Sequence, residues 1–427
     1  MDTKHIGLFG LGCVGYGLYQ LLQSTGERDL TIQKVVVRDR RKPRLVPSSL
    51  LSFKPEDILD NPQTDLVVEA IDDADAAWEI VKAAVLRGKP VVSANKKMIA
   101  THLAELIALQ QETGTPVLYE AAVCGAIPIV RTIDQYFRNE PIQRLSGIFN
   151  GTSNYILSKI FNERLDYPLA LKQAQELGFA ETDPTADVGG FDPKYKLIIL
   201  ALHAHGIVLS PGDVFNSGID HITPADIRYA REKGWKIRLS PELIRTEEGV
   251  TGFVLPRFVD SSELLFGIEN ERNAVSVIPA FSGEQFFAGK GAGAFPTATA
   301  VLGDLRAIAS GQGYAYARLN APSKVLPDDR VLIDIYLRYK EFGQVKQLGF
   351  ERISEGLIEG DFQYVNGTVS LARLKKYAHA LQRDGATIIG TGNVRISPAQ
   401  FSGKPFSTQH LILDNSLDER LPLRGIV

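Results

Sequence analysis

Short apolar runs and longer segments of helical spacing alternate over residues 1–120. The apolar runs predict buried strands at 6–9, 32–37, 65–71, 90–94 and 116–119. Between them, apolar side chains at helical spacing predict helices at 16–23, 74–87 and 97–112. Strands and helices that alternate in this way form a parallel, doubly wound sheet, which binds ligands beyond the carboxyl ends of its strands. We therefore expect a Rossmann-like α/β fold in this region.

The pattern changes further along the chain. Strand-like runs that suit an antiparallel sheet occur at 253–255, 273–277 and 284–287. Helices are predicted at 155–161, 168–177, 193–205 and 297–310. Beyond residue 320 the predicted order is βαββαβ, with a strand at 331–338, a helix at 341–350, two strand-like runs, a helix at 371–384 and a strand at 386–389.

This organisation predicts three domains, because 427 residues exceed the usual size of one hydrophobic core. Residues 1–123 and 296–320 are expected to form the dinucleotide-binding domain. Residues 124–295 are expected to form an α+β domain for substrate binding and dimerisation. Residues 321–427 are expected to form a small C-terminal α+β domain.

Composition narrows the class of protein. A formal net charge of -3 gives no basic surface for nucleic acid or an anionic membrane. No uncharged stretch is long enough to span a bilayer, and the chain enters its first strand without the apolar segment of a signal peptide. The two cysteines, Cys13 and Cys124, suit a reducing compartment. We expect a cytoplasmic protein with neither a nucleic acid nor a membrane as its partner.

A glycine-rich turn stands between the first predicted strand and helix. Its sequence is Gly10-Leu11-Gly12-Cys13-Val14-Gly15, and this context is the one in which such a turn holds the pyrophosphate of a dinucleotide. The second strand ends in Arg38-Asp39-Arg40. An acid there would hold the ribose hydroxyls of NAD, whereas arginines would receive the additional phosphate of NADP. We slightly favour NADP.

Two further loops are rich in small residues. Residues 120–128 surround one carboxylate, Glu120, and this pattern suits either a hard cation bound by carbonyl oxygens or a tight turn beside a capping glutamate. Cys124 in this loop is more typical of a small buried residue than of a nucleophile. Residues 289–297 form a second glycine-rich loop, which suits either a hinge or a contact between backbone N–H groups and a ligand.

The polar stretch 181–196 precedes an apolar helix. Asp192-Pro193 predicts the helix start, with Asp192 as its N-cap and Lys196 one turn further on. A lysine between a carboxylate and a buried helix start is a candidate for acid–base chemistry. The alternative is that Asp192 only caps the helix and that Lys196 only pairs with it. Lys96, at the end of the fourth strand, either faces the cofactor crevice or lies on the surface.

Together these motifs resemble homoserine dehydrogenase over about three quarters of the chain. The matching segments are Gly10 to Gly15, Ser93-Ala94-Asn95-Lys96, residues 119–128, Asn150-Gly151-Thr152, residues 181–196, and Gly291-Ala292-Gly293 with Pro296-Thr297-Ala298. The resemblance implies NAD- or NADP-linked interconversion of L-homoserine and L-aspartate 4-semialdehyde, by the monofunctional form of the enzyme. The C-terminal βαββαβ order is similar to the ACT regulatory domain that is often appended to this family.

The resemblance also implies roles for individual residues. Lys196, Lys96 and Asp192 are implied to be catalytic, and Glu181, Asp187 and Thr152 to contact the substrate. Implied cofactor contacts are Gly10, Leu11, Gly12, Cys13, Val14, Gly15, Arg38, Arg40, Ser93, Lys96 and Gly293. Glu120 and the backbone of Val123, Gly125 and Ile127 are implied to bind a monovalent cation, sodium.

The same resemblance implies a homodimer or a higher homo-oligomer, with threonine as the effector of the C-terminal domain. However, Lys340-Glu341-Phe342-Gly343 stands where that domain usually has an acidic proline–glycine turn. A structural role for this domain is therefore an equal alternative.

Two other functions stay open at this point. One is an aldehyde-phosphorylating dehydrogenase, which would need Cys124 as its nucleophile. The other is a nucleotide-sensing regulatory protein without catalysis, although the two lysines and the acidic substrate residues count against it.

Overall fold

The computed structural model describes residues 3–26, 29–321 and 325–396 of the chain. The end of the predicted C-terminal domain, residues 397–427, lies outside the described residues. The strands are β1 (Lys4–Phe9), β2 (Leu30–Val36), β3 (Leu51–Ser52), β4 (Leu66–Glu69), β5 (Val91–Ser93), β6 (Val117–Leu118), β7 (Ile142–Ile148), β8 (Phe215–Asn216), β9 (Lys236–Arg245), β10 (Gly249–Val259), β11 (Arg272–Pro279), β12 (Gln285–Lys290), β13 (Leu326–Pro327), β14 (Val331–Arg338), β15 (Arg352–Glu359), β16 (Phe362–Ser370) and β17 (Thr387–Ile396).

The helices lie between these strands, chiefly on the faces of the two sheets. They are α1 (Cys13–Ser24), α2 (Glu56–Leu59), α3 (Ala74–Leu86), α4 (Lys96–Thr101), α5 (Leu103–Thr113), α6 (Ile129–Arg131), α7 (Gly151–Glu163), α8 (Tyr167–Glu176), α9 (Thr185–Val188), α10 (Phe191–His205), α11 (Pro224–Glu232), α12 (Ala294–Ala309), α13 (Phe342–Leu348) and α14 (Leu371–Arg383).

The first sheet has six parallel strands in the order β3-β2-β1-β4-β5-β6. The order reverses between β1 and β4, which is the switch point where doubly wound sheets bind their ligands. The strands are short and apolar because helices cover both faces; all four residues of β4 are buried. The predicted α/β fold class is confirmed.

Helix α12 returns the chain to this first sheet. Leu18 on α1 shares an apolar core with Val301 and Leu305 on α12. The two helices touch closely, because a Cβ atom at Gly17 would lie 2.7 Å from the carbonyl oxygen of Ala294. This packing supports a dinucleotide-binding domain made of two chain segments, although the domain bounds stay a prediction.

The second sheet is mixed and carries the rest of the chain. Its strand order is β12-β11-β7-β9-β10-β17-β14-β16-β15, with β8 and β13 paired to β10. The C-terminal elements β14 to β17 follow the predicted βαββαβ order. They do not form a separate sheet, because β17 pairs with β10 in parallel and so continues the same sheet. Helix α10 packs on this sheet against β9 and β10.

Two local predictions were wrong. Asp192 is not the N-cap of α10: the helix begins at Phe191, after Gly190 in the left-handed conformation, and no side chain caps it. The Asp192 carboxylate instead contacts Lys196, Lys96 and Asn150.

The helix predicted at 97–112 is two helices, α4 and α5. They meet at His102, because the backbone of this residue leaves the helical conformation. The ring of His102 stacks on Trp78 at 4.6 Å.

Among the residues that the structure describes, no helix has the length and apolar character needed to cross a membrane.

Candidate active site

A cleft of about 490 Å³ lies between the first sheet and the start of α10. The glycine-rich turn borders it through Cys13 and Val14, and the loop before α12 borders it through residues 291–293. All six of the predicted substrate and catalytic residues border it as well: Lys96, Thr152, Glu181, Asp187, Asp192 and Lys196. The fold therefore brings together residues as distant in the sequence as Cys13 and Gly293, which are 280 positions apart.

Asp192 links the two lysines at the floor of the cleft. Its Oδ2 atom accepts a hydrogen bond from Nζ of Lys196 at 2.7 Å, and its Oδ1 atom lies 2.9 Å from Nζ of Lys96. Nζ of Lys196 also donates to the carbonyl oxygen of Phe149 at 2.6 Å. Lys196 and Asp192 are buried, whereas the side chain of Lys96 is 44% exposed and reaches the cleft from α4.

Charge attraction between neighbouring groups shifts the pKa values of Asp192 and Lys96. Burial alone would raise the pKa of Asp192, but Lys196 and Lys96 outweigh it and hold this pKa well below its usual range. Asp192 in turn raises the pKa of Lys96, against the opposing effect of burial. The site thus offers a fixed carboxylate that orients amines, and positive charge at the wall of a partly closed cleft.

Asn150 links two of the predicted carboxylates, a contact that the sequence did not indicate. Its amide nitrogen donates to Oδ1 of Asp187 at 2.6 Å and to Oδ2 of Asp192 at 2.9 Å. Its amide oxygen accepts from the N–H of Ser153 at 2.7 Å and so caps α7. The Asn-Gly-Thr motif signals only the cap, because the two carboxylates come from a distant part of the chain.

The predicted substrate residues differ in their environments. Glu181 is exposed at the rim of the cleft. Asp187 is more enclosed; burial, followed by the charge of Asp192, raises its pKa, while Asn150 opposes this rise. Thr152 donates its hydroxyl hydrogen to the carbonyl oxygen of Phe179 at 2.6 Å. Glu271, which the sequence did not suggest, also borders the cleft.

The glycine-rich turn has the geometry of a phosphate site. Gly10 has a φ of +91°, and a Cβ atom there would lie 2.3 Å from the carbonyl oxygen of Ala70. A Cβ atom at Gly15 would lie 2.2 Å from the carbonyl oxygen of Gly10. Space is open at Gly12, the N-cap of α1, so that a ligand could approach the free N–H groups of this helix start.

Other predicted cofactor residues lie at strand ends of the first sheet. Arg38 and Arg40 are exposed after β2, and the guanidinium of Arg40 lies 4.6 Å from the ring centre of Phe53. Leu11 is buried, with its carbonyl oxygen 3.4 Å from Nη1 of Arg44. Ser93, at the end of β5, is buried and donates its hydroxyl hydrogen to Glu69 at 2.5 Å.

The two small-residue loops pack backbone against backbone. A Cβ atom at Gly125, whose φ is +55°, would lie 2.6 Å from the carbonyl group of Gly291. The N–H of Ala126 donates to the carbonyl oxygen of Lys290 at 3.1 Å. Gly293, with a φ of +111°, is the N-cap of α12 and borders the cleft. This loop pair forms one wall of the site.

Glu120 lies behind this wall. Its carboxylate oxygens accept from the N–H groups of Val130 and Arg131 at 2.9 and 2.8 Å. Burial, followed by the nearby carboxylate of Asp304, raises the pKa of Glu120 to about 8. Among the other predicted cation ligands, the carbonyl oxygen of Ile127 accepts from the N–H of Ile129 at 2.8 Å. Val123 and Gly125 lie on the same turn.

Cys124 is a poor nucleophile in this structure. It is fully buried with a φ of 54°, and burial raises the pKa of its thiol to about 11. A thiolate is the reactive form of cysteine, and this environment disfavours it. The geometry counts against an aldehyde-phosphorylating enzyme.

A switch-point glycine turn, facing a cleft with two amines held by one carboxylate, defines a nicotinamide-dependent oxidoreductase. Comparison with known proteins narrows this class. The profile described as "Homoserine dehydrogenase" matches residues 128–305, and the one described as "Homoserine dehydrogenase, NAD binding domain" matches residues 10–120. The chain belongs to the homoserine dehydrogenase family, NAD(P)-dependent oxidoreductases that interconvert L-homoserine and L-aspartate 4-semialdehyde.

Individual relatives agree with this assignment. The homoserine dehydrogenase of Bacillus subtilis (strain 168) is 37% identical over 317 residues, which are 72% of this chain and 73% of that protein. The crystal structure of a homoserine dehydrogenase from Thiobacillus denitrificans has 31% sequence identity and a TM-score of 0.80; the match covers 92% of this chain and 99% of the Thiobacillus chain. The crystal structure of the S. aureus homoserine dehydrogenase at pH7.5 has 29% sequence identity and a TM-score of 0.66; the match covers 92% of this chain and 99% of the S. aureus chain.

Proposed function

We propose that Lys196 moves the hydroxyl proton of the substrate, while Asp192 and Lys96 hold its position and charge. The supporting observation is the Lys96–Asp192–Lys196 chain of contacts along the cleft. An ammonium group has three N–H donors, and two of those on Lys196 are directed to Asp192 and to the carbonyl of Phe149. The third is left for an oxygen atom in the cleft.

This arrangement suits an aldehyde that is reduced to an alcohol. When bound, the nicotinamide cofactor supplies the hydride, or accepts it in the reverse direction. Lys196 donates a hydrogen bond to the aldehyde oxygen and then its proton, as negative charge develops there. Lys96 adds a second positive charge at the same wall. In the reverse direction Lys196 takes the proton from the alcohol.

The charged ends of the substrate are given complementary groups. Glu181 and Asp187 supply carboxylates for the substrate ammonium group. For the substrate carboxylate, α7 supplies the N–H groups of Gly151 and Thr152, which lie in the first turn where no preceding turn accepts them. Both residues border the cleft. These contacts orient the reacting carbon atom toward the glycine-rich turn.

NADP is the proposed cofactor. Arg38 and Arg40 are exposed where β2 ends, which is where the 2′-phosphate of NADP is held in such folds. The carboxylate of Asp39, which would favour NAD, instead accepts from the N–H of Arg41 at 2.8 Å. Gly293 and Lys96 are proposed to approach the nicotinamide end of the cofactor. Ser93 is also proposed to contact the cofactor, because it lies at the carboxyl end of β5.

A monovalent cation is proposed at Glu120. The carboxylates of Glu120 and Asp304 are both buried and share Arg131 as a cationic neighbour. When both carboxylates are ionised, they carry one negative charge more than Arg131 compensates, and a cation beside the turn that carries Val123, Gly125 and Ile127 would balance it. The cation would stabilise the loop that forms the wall of the cleft.

The C-terminal unit is proposed to be ACT-like, with a structural role favoured over threonine binding. In the turn after β14, the N–H groups of Lys340 and Glu341 both donate to Oε1 of Gln344, at 2.8 and 3.3 Å. These groups are therefore already satisfied. A homodimer and a cytoplasmic location are proposed from the sequence and the family.

The test is an assay of initial rates with homoserine and NADP or NAD, with and without threonine. We expect a higher kcat/KM with NADP than with NAD, and no effect of threonine on the rate.

Lys196→Ala should lower kcat by at least about a thousandfold while NADP still binds, because proton transfer and charge stabilisation are both lost. Lys194→Ala is the matched control, since Lys194 donates to Asn216 at 3.0 Å and does not border the cleft. Near-normal turnover of Lys196→Ala would contradict the assigned role.

A further inference from the structure

A second cavity of about 240 Å³ lies at the far end of α10 from the two lysines. Its lining includes His205, the last residue of α10, and Arg245, the last residue of β9. Arg318 enters it from the segment after α12, and Arg138 from the segment before β7. One acidic residue, Glu140, also borders the cavity. Four chain segments thus bring three arginines and a histidine together.

None of the three arginines forms an ion pair with a carboxylate among the described residues. Arg318 donates to the backbone carbonyl oxygens of His203 and Glu140, both at 2.8 Å, and to those of Ile133 and Phe137, but to no carboxylate. Arg138 and Arg245 are exposed and form no ion pair in the described part of the chain.

Glu140 offsets only one of the three positive charges of the arginines. Its carboxylate accepts from the N–H groups of Phe281 and Ser282 at 2.6 and 2.7 Å, and from the hydroxyl of Ser282 at 2.9 Å. Those contacts occupy it on the side of the loop after β11. The cavity itself is left with a surplus of guanidinium groups.

His205 gives an independent indication of a ligand. It is 4% exposed, and its Nε2 atom is buried without a hydrogen-bond partner in the part of the chain that the structure describes. Burial, followed by the charges of Arg245 and Arg318, lowers the pKa of its ring to about 3. The ring is therefore neutral near pH 7, and a buried polar nitrogen without a partner is uncommon in a folded protein.

We propose that this cavity binds a compact, doubly charged oxyanion of the phosphate type. The guanidinium groups of Arg138 and Arg245 can match the oxygen atoms of such an anion in pairs. Arg318 would add positive charge, because its terminal N–H groups already donate to backbone carbonyl oxygens. The anion would also bring an acceptor next to the imidazole of His205. Neither the glycine-rich turn nor the cleft of Lys196 takes part, so this site is independent of the proposed catalytic roles.

Helix α10 connects the cavity to the catalytic lysine. Lys196 and His205 are nine residues apart on it, which corresponds to about 13.5 Å along the helix axis. Arg318 holds the same helix end through the carbonyl of His203, at 2.8 Å. An anion bound to Arg245 beside the guanidinium of Arg318 would therefore hold β9 and the segment after α12 together at this end of α10.

The experiment is a calorimetric titration of the full chain with inorganic phosphate, at constant ionic strength and in a buffer free of phosphate and sulfate. NADP is kept saturating, so that phosphate cannot occupy the glycine-rich turn. We expect one phosphate per chain with a dissociation constant in the millimolar range or below. A parallel titration with succinate, a dicarboxylate, distinguishes a tetrahedral anion from any anion with two negative charges. If the site requires tetrahedral oxygen atoms, phosphate should bind and succinate should not. If the site requires only two negative charges, both anions should bind.

The variants Arg245→Ala and Arg138→Ala should each raise the dissociation constant of phosphate at least about tenfold, which corresponds to a loss of about 1.4 kcal/mol of binding free energy. Arg228→Ala is the matched control, because Arg228 is an exposed arginine outside the cavity. His205→Asn should weaken phosphate binding as well. The melting temperature of this variant without phosphate shows whether the variant folds. Equal phosphate affinity of wild type and Arg245→Ala, or no binding at millimolar phosphate, would overturn the proposal.

Discussion

At the scale of single residues, the site depends on one carboxylate with several partners. Asp192 accepts from Lys196 and Asn150 and lies against Lys96, so that its charge is matched and its rotamer is fixed. A buried ion pair is weak evidence for stability, because the loss of hydration opposes the attraction. We therefore interpret this cluster as an arrangement that positions an amine.

Asn150→Ala tests this positioning. The change removes the donor that orients Asp187 and Asp192, and we expect kcat to fall by about ten- to a hundredfold, since a misplacement of about 1 Å has effects of this size. It also removes a helix cap, which costs about 1 kcal/mol. The measurements are kcat, KM and the free energy of unfolding.

Asp166→Ala is the matched control for the lost cap. Asp166 caps α8 by accepting from the N–H of Leu169 at 2.9 Å, outside the cleft. It should lose a similar free energy of unfolding and keep its kcat. If both variants keep kcat, Asn150 is only a cap.

Glu120→Gln tests the buried carboxylates by their pH dependence. The pKa of Glu120 is raised to about 8 in the folded state from an ordinary value of 4.5, so the folded state binds this proton more tightly than the unfolded state. Its contribution to stability is complete below the unfolded pKa and is lost as the pH rises through about 8. We expect wild type to lose stability between about pH 5 and about pH 9, and the variant to lose less.

Sodium provides the second arm of this experiment. If a cation binds beside Glu120, sodium chloride should raise the urea midpoint of wild type at alkaline pH more than choline chloride does. The variant should respond equally to both salts. A wild type that also responds equally would argue against the cation site.

At the scale of elements, close helix packing fixes the position of the loop before α12. Gly17 on α1 touches the carbonyl group of Ala294, the residue after Gly293. The loop that borders the cleft is thereby held against the helix whose start is expected to bind phosphate. We therefore expect cofactor affinity to depend on this contact between the two helices.

Gly17→Ala should therefore lower stability, although alanine favours a helix. Its Cβ atom would lie 2.7 Å from a backbone oxygen, and overpacking of this kind costs about 1–3 kcal/mol. Gly303→Ala, within α12, is the control: its nearest contact would be Arg131 at 3.8 Å, so it should gain about 0.5–1 kcal/mol. Urea unfolding and NADP affinity are measured for both. A stabilised Gly17→Ala would contradict the close contact.

At the scale of the whole molecule, the C-terminal unit is joined to the rest by polar groups as well as by β17. Asp226 on α11 is fully buried and accepts from the hydroxyl of Tyr336 at 3.0 Å and from Nε of Arg338 at 2.9 Å. Both partners lie on β14. Since Asp226 also accepts from the N–H of Thr223 at 2.8 Å, it joins the start of α11 to the C-terminal sheet.

Arg338→Met should lower the free energy of unfolding by about 3–5 kcal/mol, because it leaves a buried carboxylate without its cation. Arg395→Met is the control, since the side chain of Arg395 is 56% exposed beside Asp334 and exposed pairs contribute about 1 kcal/mol or less. Urea unfolding checks both. Equal stabilities would mean that Asp226 is satisfied by its hydroxyl and backbone donors alone.

The sequence by itself determined the elements that depend on local pattern. The first sheet, its glycine-rich turn and the order of the C-terminal elements follow from apolar periodicity and from glycine conformation. The strand predicted at 331–338 has the same bounds in the structure. The family resemblance also implies one site for Lys96, Asp192 and Lys196, and the three side chains are in contact in the structure.

Only the tertiary structure decided where the charged residues of the interior point. The local sequence predicts Asp192 as an N-cap, but in the structure its carboxylate contacts Lys96 and Asn150, which come from other elements. The pattern did not reveal β9, because Arg238 and Glu242 are buried within it and pair with Glu269 and Arg144 from distant segments. Periodicity records which side of an element is apolar, whereas the partner of a buried charge is set by chain segments that meet only in the folded protein.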